Sequence, residues 1–182
     1  MEISSRDDFS VVFKSLGYKT GVEVGVLDGD FSVELEKFGG KLYLVDAWRH
    51  IGGLDDVNNP EDQEHEARYQ RVKSRFCDNP KIEIRRGLSI EMSKTFADGE
   101  LDWVYLDADH REEAVIEDIK AWYSKIRIGG MICGHDYFDS PGWEGHRGVK
   151  AAVDGFFKDD KVFLTKEFQY EHSWYVLKRH NK

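Results

Sequence analysis

The chain is poor in cysteine, in net positive charge and in long apolar runs. Its two cysteines among 182 residues, Cys77 and Cys133, lie far apart and form no C-x-x-C pair. That argues against a disulfide framework or a zinc knuckle and leaves buried free thiols as the expectation. The 26 Lys and Arg stand against 35 Asp and Glu, a formal charge of -9. Affinity for phosphate backbones needs a basic face that displaces counterions, so nucleic acid is not an expected partner. No window approaches the ~18 apolar residues of a membrane span, and the N-terminal MEISSRDDFS is charged without an apolar core segment. A soluble, cytoplasmic protein with no membrane partner is expected. Internal repeats and low-complexity segments are also lacking.

What is present is globular. Hydrophobic residues make up 40%, aromatics 13% and charged residues 34%, and they are interspersed. A chain of this length can bury about 70% of its unfolded surface in one core, so one domain over 1–182 is expected. Phe9, Val12, Phe13 and Leu16 recur at helical spacing within Asp7 to Leu16, and Gly17 ends that helix. A strand at Thr20 to Val24 leads past Gly29 into a helix carrying Phe31, Val33, Leu35 and Phe38, closed by Gly39-Gly40. Lys41 to Asp46, KLYLVD, reads as a strand covered on both faces. The stretch WRHIGGLDDVNNPED, Trp48 to Asp62, has no period and is expected to be a lid loop.

Beyond it the pattern predicts a helix over Glu64 to Phe76, a strand over Lys81 to Arg85 and a short helix over Ser89 to Phe96 with Ser89 as N-cap. A strand over Leu101 to Leu106, a helix over Glu112 to Lys125 and a strand over Met131 to Cys133, opened by Gly129-Gly130, come next. A loop from Phe138 to Arg147 and a helix over Val149 to Phe157 follow. Val162 to Lys166 and Ser173 to Lys178 are too close for a crossover helix and should pair antiparallel. The fold class expected is α/β: a doubly wound, mostly parallel, seven-stranded Rossmann-like sheet with an antiparallel strand near its C-terminal edge.

Ligands of such sheets sit outside the carboxyl ends of the strands. The residues there are Glu23, Gly25 and Gly29, then Asp46, then Gly87 and Ser89, then Asp107, Asp109 and His110, and finally His135 and Asp136. A nicotinamide fingerprint would need glycine at position 27, where Leu27 stands, and no P-loop string occurs. The first turn also carries Asp28 and Asp30, which suit a cation better than a pyrophosphate. The expected ligand has ribose hydroxyls and little negative charge.

The strings E-V-G-V-x-x-G-D-F-S, V-D-A-W, L-D-A-D-H, G-G-M-I-C-G-H-D-Y and G-V-K-A-A-V-D together resemble class I S-adenosylmethionine-dependent methyltransferases, in the small-molecule O-methyltransferase branch, over Thr20 to Phe157. The resemblance implies S-adenosylmethionine as cofactor and methyl transfer to a hydroxyl of a small-molecule acceptor, with a homodimer as the assembly allowed for. It places Glu23, Gly25 and Gly29 under the methionine part, Asp46 on the ribose hydroxyls, Ala47 and Trp48 beside adenine or ribose, and Ser89 on the adenine edge. Asp107 would lie near the cofactor's amino group or join Asp136 in holding a divalent metal. His135 stands where the metal-using enzymes carry an oxygen ligand, which leaves the metal's identity open, since imidazole suits softer ions than magnesium. Asp109, His110 and His135 compete as general base. Tyr137, Trp143, His146 and Arg147 would shape the acceptor pocket. A non-catalytic nucleoside-binding or regulatory protein and an NAD-dependent oxidoreductase stay open as other readings.

Overall fold

A computed structural model describes residues 3–54, 58–138, 148–166 and 171–181. In chain order the elements are α1 (Phe9–Ser15), β1 (Thr20–Val24), α2 (Asp30–Leu35), β2 (Lys41–Asp46), α3 (Asp62–Arg75), β3 (Ile82–Arg86) and α4 (Ser89–Ser93). They continue with β4 (Leu101–Leu106), α5 (Glu112–Tyr123), β5 (Ile126–Phe138), α6 (Gly148–Phe156), β6 (Phe163–Leu164) and β7 (Glu171–Leu177). One seven-stranded sheet runs in the order β3-β2-β1-β4-β5-β7-β6. Its pairs from β3 to β5 are parallel, and β7 lies antiparallel between β5 and β6. The order reverses beside β1, so the ends of β1 and β4 diverge into a crevice.

The period-2 alternation of the strands divides the core between the two sheet faces. Trp103 and Tyr105 of β4 pack with Phe9 and Phe13 of α1, Leu35 of α2 and Val72 of α3. Val104 and Leu106 of the same strand pack with Val115, Ile119 and Trp122 of α5 and Val149 and Val153 of α6. Helices on both sides explain why LDWVYL is nearly continuous in apolar character. Among the described residues no helix is long and apolar enough to cross a membrane.

β1, β2 and β4 have the predicted bounds, while several other elements depart from expectation. A 3-10 turn, Arg6–Asp8, precedes α1, and Leu16 stays 43% exposed because the helix stops at Ser15 and Gly17 turns the chain at φ +71°. Gly129-Gly130 do not open β5 but lie inside it: Leu101 pairs with Ile126 and Trp103 with Met131, a bulge that these glycines accommodate. β5 also runs past Cys133, because Tyr137 and Phe138 pair again with β7 beyond a second irregularity. Ser89 is the first residue of α4 and Leu88 occupies the N-cap position, so the capping role expected of Ser89 is not the one it has. Cys133 is buried as expected, whereas Cys77 is exposed.

Gly21 faces Trp103 across the β1–β4 pair, and a Cβ there would come within 1.9 Å of the indole. That ring is fully buried and stacked on Phe13 at 4.2 Å between centroids, so it has no room to retreat. Gly21→Ala should lower the unfolding free energy by about 1–3 kcal/mol through overpacking. In urea titrations the midpoint should fall with the slope unchanged; an unshifted midpoint would show that the core yields.

Candidate active site

A cleft of about 850 Å³ opens over the carboxyl ends of β1, β2, β3, β4 and β5. Its floor begins with the turn after β1. Gly25 adopts φ +87°, its N–H bonds to the Val45 carbonyl at 2.9 Å, and a Cβ on it would lie 1.9 Å from the Asp107 carbonyl oxygen. The neighbouring strand end and the positive φ by themselves require glycine there. Asp46 ties this turn to the next: Oδ2 accepts the N–H groups of Val26 and Leu27 at 2.8 and 2.9 Å, and Oδ1 accepts that of Trp48 at 2.7 Å. The Trp48 indole N–H donates to the Leu27 carbonyl at 2.9 Å. Of roughly four acceptor sites on a carboxylate, the three bonds leave one, on Oδ1.

Three non-glycine residues among those described have positive φ: Leu27 at 54°, Trp48 at 39° and Asp136 at 55°. All three line the cleft. Such conformations cost of order 1–3 kcal/mol each and persist where surrounding bonds over-determine them, as the Asp46 bonds do at Leu27 and Trp48.

At the β1–β4 end, Glu23 is buried and accepts a hydrogen bond from the Ser32 hydroxyl. Burial, with nearby Asp107 adding to it, pushes its carboxyl up to about 8. Arg6, from the turn before α1, donates from Nη2 to Asp107 Oδ2 at 3.0 Å and lies 3.9 Å over the centre of the Phe31 ring. His110 Nε2 stands 3.4 Å from Asp107 Oδ1 and 3.0 Å from Asp136 Oδ2. Burial alone would lower His110, but the hydrogen bonds to the two carboxylates prevail and raise it to about 10. Burial would likewise raise Asp136, yet the bonds to His110 and His135 hold it well below the usual carboxylate range. His135 Nδ1 is 3.3 Å from Asp136 Oδ1. The irregularity in β5 between Gly134 and Tyr137 aims both residues at the cleft.

The metal-capable cluster therefore differs from the one expected. Asp107, His110 and Asp136 each offer a donor atom, all within 4.8 Å of one another, with His110 in the place expected of His135. Adjacent ligand atoms of an octahedral ion lie about 3 Å apart, a spacing that His110 Nε2 approaches toward each carboxylate, at 3.4 and 3.0 Å. Asp109, expected as a base, is gripped by Arg111 through contacts of 3.0 and 2.5 Å. Against burial, those bonds hold its carboxyl below its ordinary value.

Other expected residues are placed differently. Gly29, at φ +75° before α2, is turned toward Val72 and Phe76 of the α3 region and is not among the residues lining the cleft. Trp48 lines the cleft but is fully buried against Tyr69 at 5.1 Å, a buttress for the turn rather than an open stacking face. The Ser89 hydroxyl donates to Asp118 and accepts the Trp122 indole N–H at 2.9 Å. Tyr137 points at α6, donating to Asp154 at 2.7 Å and accepting from Lys150 at 3.1 Å, and does not line the cleft. Trp143, His146 and Arg147 lie outside the described residues. In the 48–62 stretch, Asn59 bonds Ile51 on both sides, at 2.8 Å each, and folds the loop's described part against the cleft.

Arg6, His65 and Asp118 also line the cleft and were not expected there. Spacing could have found two of them. His65 lies seven residues before buried Val72 on α3, and Asp118 lies three after buried Val115 on α5. Burial pushes Asp118 up to about 6 despite its bond from Ser89. Nothing in the spacing around Arg6 marks it.

Glu23 gives a stability signature. Its proton is held more tightly in the folded chain, so its contribution is fully present below the ordinary value of 4.5 and is lost as pH rises through about 8. Across that window the native chain should lose stability relative to Glu23→Gln by up to ~1.4 kcal/mol per pH unit. Urea unfolding of both proteins from pH 5 to 8 checks this, and parallel pH curves would refute it.

Comparison with known proteins bears on the whole arrangement. The family model described as "Methyltransferase domain" matches residues 22–137, which span the cleft-forming strand ends from Glu23 to Asp136. A search of curated proteins finds no match. Among solved structures, a Staphylococcus aureus protein assigned as a caffeoyl-CoA O-methyltransferase superposes with TM-score 0.68 at 12% identity, covering 94% of this chain and 82% of the other. An O-methyltransferase from Bacillus cereus, solved in complex with S-adenosylhomocysteine, gives 0.66 at 14% identity, covering 95% and 80%. Spermidine synthase from Thermotoga maritima gives 0.60 at 18% identity, covering 93% of this chain and 57% of its own. These likenesses are of fold, while the family match spans most of the chain: the protein belongs to the methyltransferase domain family and is a class I S-adenosylmethionine-dependent methyltransferase.

Proposed function

We propose that the cleft carries a methyl group from S-adenosylmethionine to a hydroxyl of a small-molecule acceptor. The observation that carries this reading is one cleft holding both an aspartate with a single acceptor site left, Asp46, and an acid–imidazole cluster at the far strand ends. Asp46 Oδ1 takes a ribose hydroxyl, Ser89 and its partner Asp118 border the adenine, and Glu23, Gly25 and Asp107 surround the methionine end. The loop through Ile51 and Asn59 closes over the nucleoside.

Methyl transfer is an in-line displacement: the acceptor oxygen bonds to the methyl carbon as the carbon–sulfur bond opens, leaving neutral S-adenosylhomocysteine. Positioning alone can supply roughly 7 to 11 kcal/mol of such a barrier. The acceptor's proton must go to a base. His110 already carries its proton at neutral pH, and Asp109 is committed to Arg111. His135 is the remaining candidate, an imidazole oriented by Asp136 through Nδ1, with Nε2 left to take the proton. A divalent ion held by Asp107, His110 and Asp136 would act as a Lewis acid that lowers the acceptor's pKa and fixes its oxygen. Its binding requires His110 to lose its proton.

Thermal shift separates the cofactor classes. S-adenosylhomocysteine should raise the melting temperature and NAD should not, and stabilisation by NAD alone would overturn the reading. A screen of hydroxylated metabolites for mass gain of one methylene then finds the acceptor; transfer only to nitrogen or carbon would refute the hydroxyl assignment. For the metal, dialysis against EDTA should abolish transfer and added divalent ions restore it. Full activity after chelation would leave the Asp107–His110–Asp136 cluster without a metal role.

A further inference from the structure

Arg6 is a cleft residue that none of the roles above uses. Its position is set by its neighbours along the chain. Ile3 and Phe9, on either side, are fully buried, the Asp8 carboxylate accepts the Ser5 N–H at 3.0 Å, and the Ser4 carbonyl accepts the Lys166 N–H at 3.1 Å. The segment before α1 is thereby fastened to the sheet, and it lays the Arg6 guanidinium between the Phe31 ring at 3.9 Å and the Asp107 carboxylate at 3.0 Å. All three side chains line the cleft, at the end that Glu23 and Gly25 also border.

Beside Arg6 that end presents carboxyl oxygens, the Asp107 carboxylate next to the buried, protonated Glu23. Acceptors of this kind suit an ammonium group and repel a carboxylate. An α-amino acid head carries both groups on one carbon, and its complement is an acid and a base in contact. Arg6 and Asp107 are such a pair. His110, the other residue touching Asp107, has its Nε2 within 3.4 Å of that carboxylate and 3.0 Å of Asp136. The Arg6 guanidinium, already bonded to Asp107, is a planar group whose fork geometry matches a carboxylate, and stacking on the Phe31 ring holds it in one plane.

We infer that Arg6 anchors the α-carboxylate of the cofactor's amino-acid moiety while Asp107 accepts its ammonium group, so that the segment before α1 selects nucleosides bearing an intact amino acid. The assignment rests on the cofactor reading above and adds to it a specificity determinant outside the matched methyltransferase region, residues 22–137.

Calorimetric titration of the full chain with three probes tests it: S-adenosylhomocysteine, decarboxylated S-adenosylmethionine, which keeps the ammonium and lacks the carboxylate, and 5′-methylthioadenosine, which lacks both. Arg6→Gln should weaken S-adenosylhomocysteine about 10- to 100-fold, the range for a lost charge-assisted contact, and change the other two less than about twofold. Arg6→Lys, which keeps the charge without the fork, should fall between. An equal loss for all three probes would mean that Arg6 only shapes the cleft, and an unchanged affinity for S-adenosylhomocysteine would equally overturn the assignment. If Arg6→Gln does not fold, Arg6→Lys decides alone by the same ratio between probes. Failure of the unaltered protein to bind any of the three nucleosides would instead sink the cofactor reading, and this inference with it.

Discussion

Much of the cleft depends on the carboxylate of Asp46. At the end of β2 it accepts three backbone N–H groups from two different turns, and these bonds hold Leu27 and Trp48 in left-handed conformations that neither residue favours. Free amide groups at strand ends would otherwise need water or each other. A charged acceptor makes the stronger bonds and orients the two loops toward one point. The residue that resemblance assigns to the ribose therefore builds the site before any ligand arrives. An amide in its place would set an NH₂ group against N–H donors and loosen both turns.

The second constraint is charge. Asp107, Asp109 and Asp136 crowd the strand ends together with buried Glu23, an arrangement that would repel itself if left alone. The chain compensates with a cation for each half-buried acid: Arg6 on Asp107, Arg111 on Asp109, and protonated His110 between Asp107 and Asp136. Glu23, which has no direct cation, keeps its proton instead. This distribution separates the roles of residues that look equivalent in the string L-D-A-D-H. Asp109 is tied to Arg111 and His110 lies between Asp107 and Asp136, while His135, at the irregularity in β5, faces the cleft.

Local patterns carried much of the architecture. The runs TGVEV, KLYLVD and LDWVYL read as strands with the bounds found, and the helical spacing of Val115, Ile119 and Trp122 marked α5. Elements whose limits depend on pairing were less readable. β5 extends through two glycines and past Cys133 because β4 and β7 supply partners there, which the strand's own residues do not announce. The site shows the same division. Strand ends are predictable places, so Glu23, Gly25, Asp46, Asp107 and Asp136 all line the cleft. Gly29 does not, because α3 occupies the space on its open side, and Arg6 does, because a segment remote in sequence is tied across the sheet.

By itself, then, the sequence determined the alternation of strands and helices, the acidic strand ends and the glycine at position 25, since each is written in spacing and residue type within a few positions. Tertiary structure alone decided which histidine stands between Asp107 and Asp136, which carboxyls keep their protons, and that an arginine from before the first helix enters the cleft. The physical reason is range. Periodicity and turn chemistry act between near neighbours, whereas burial, ion pairing and hydrogen bonding depend on which distant segments packing brings into contact.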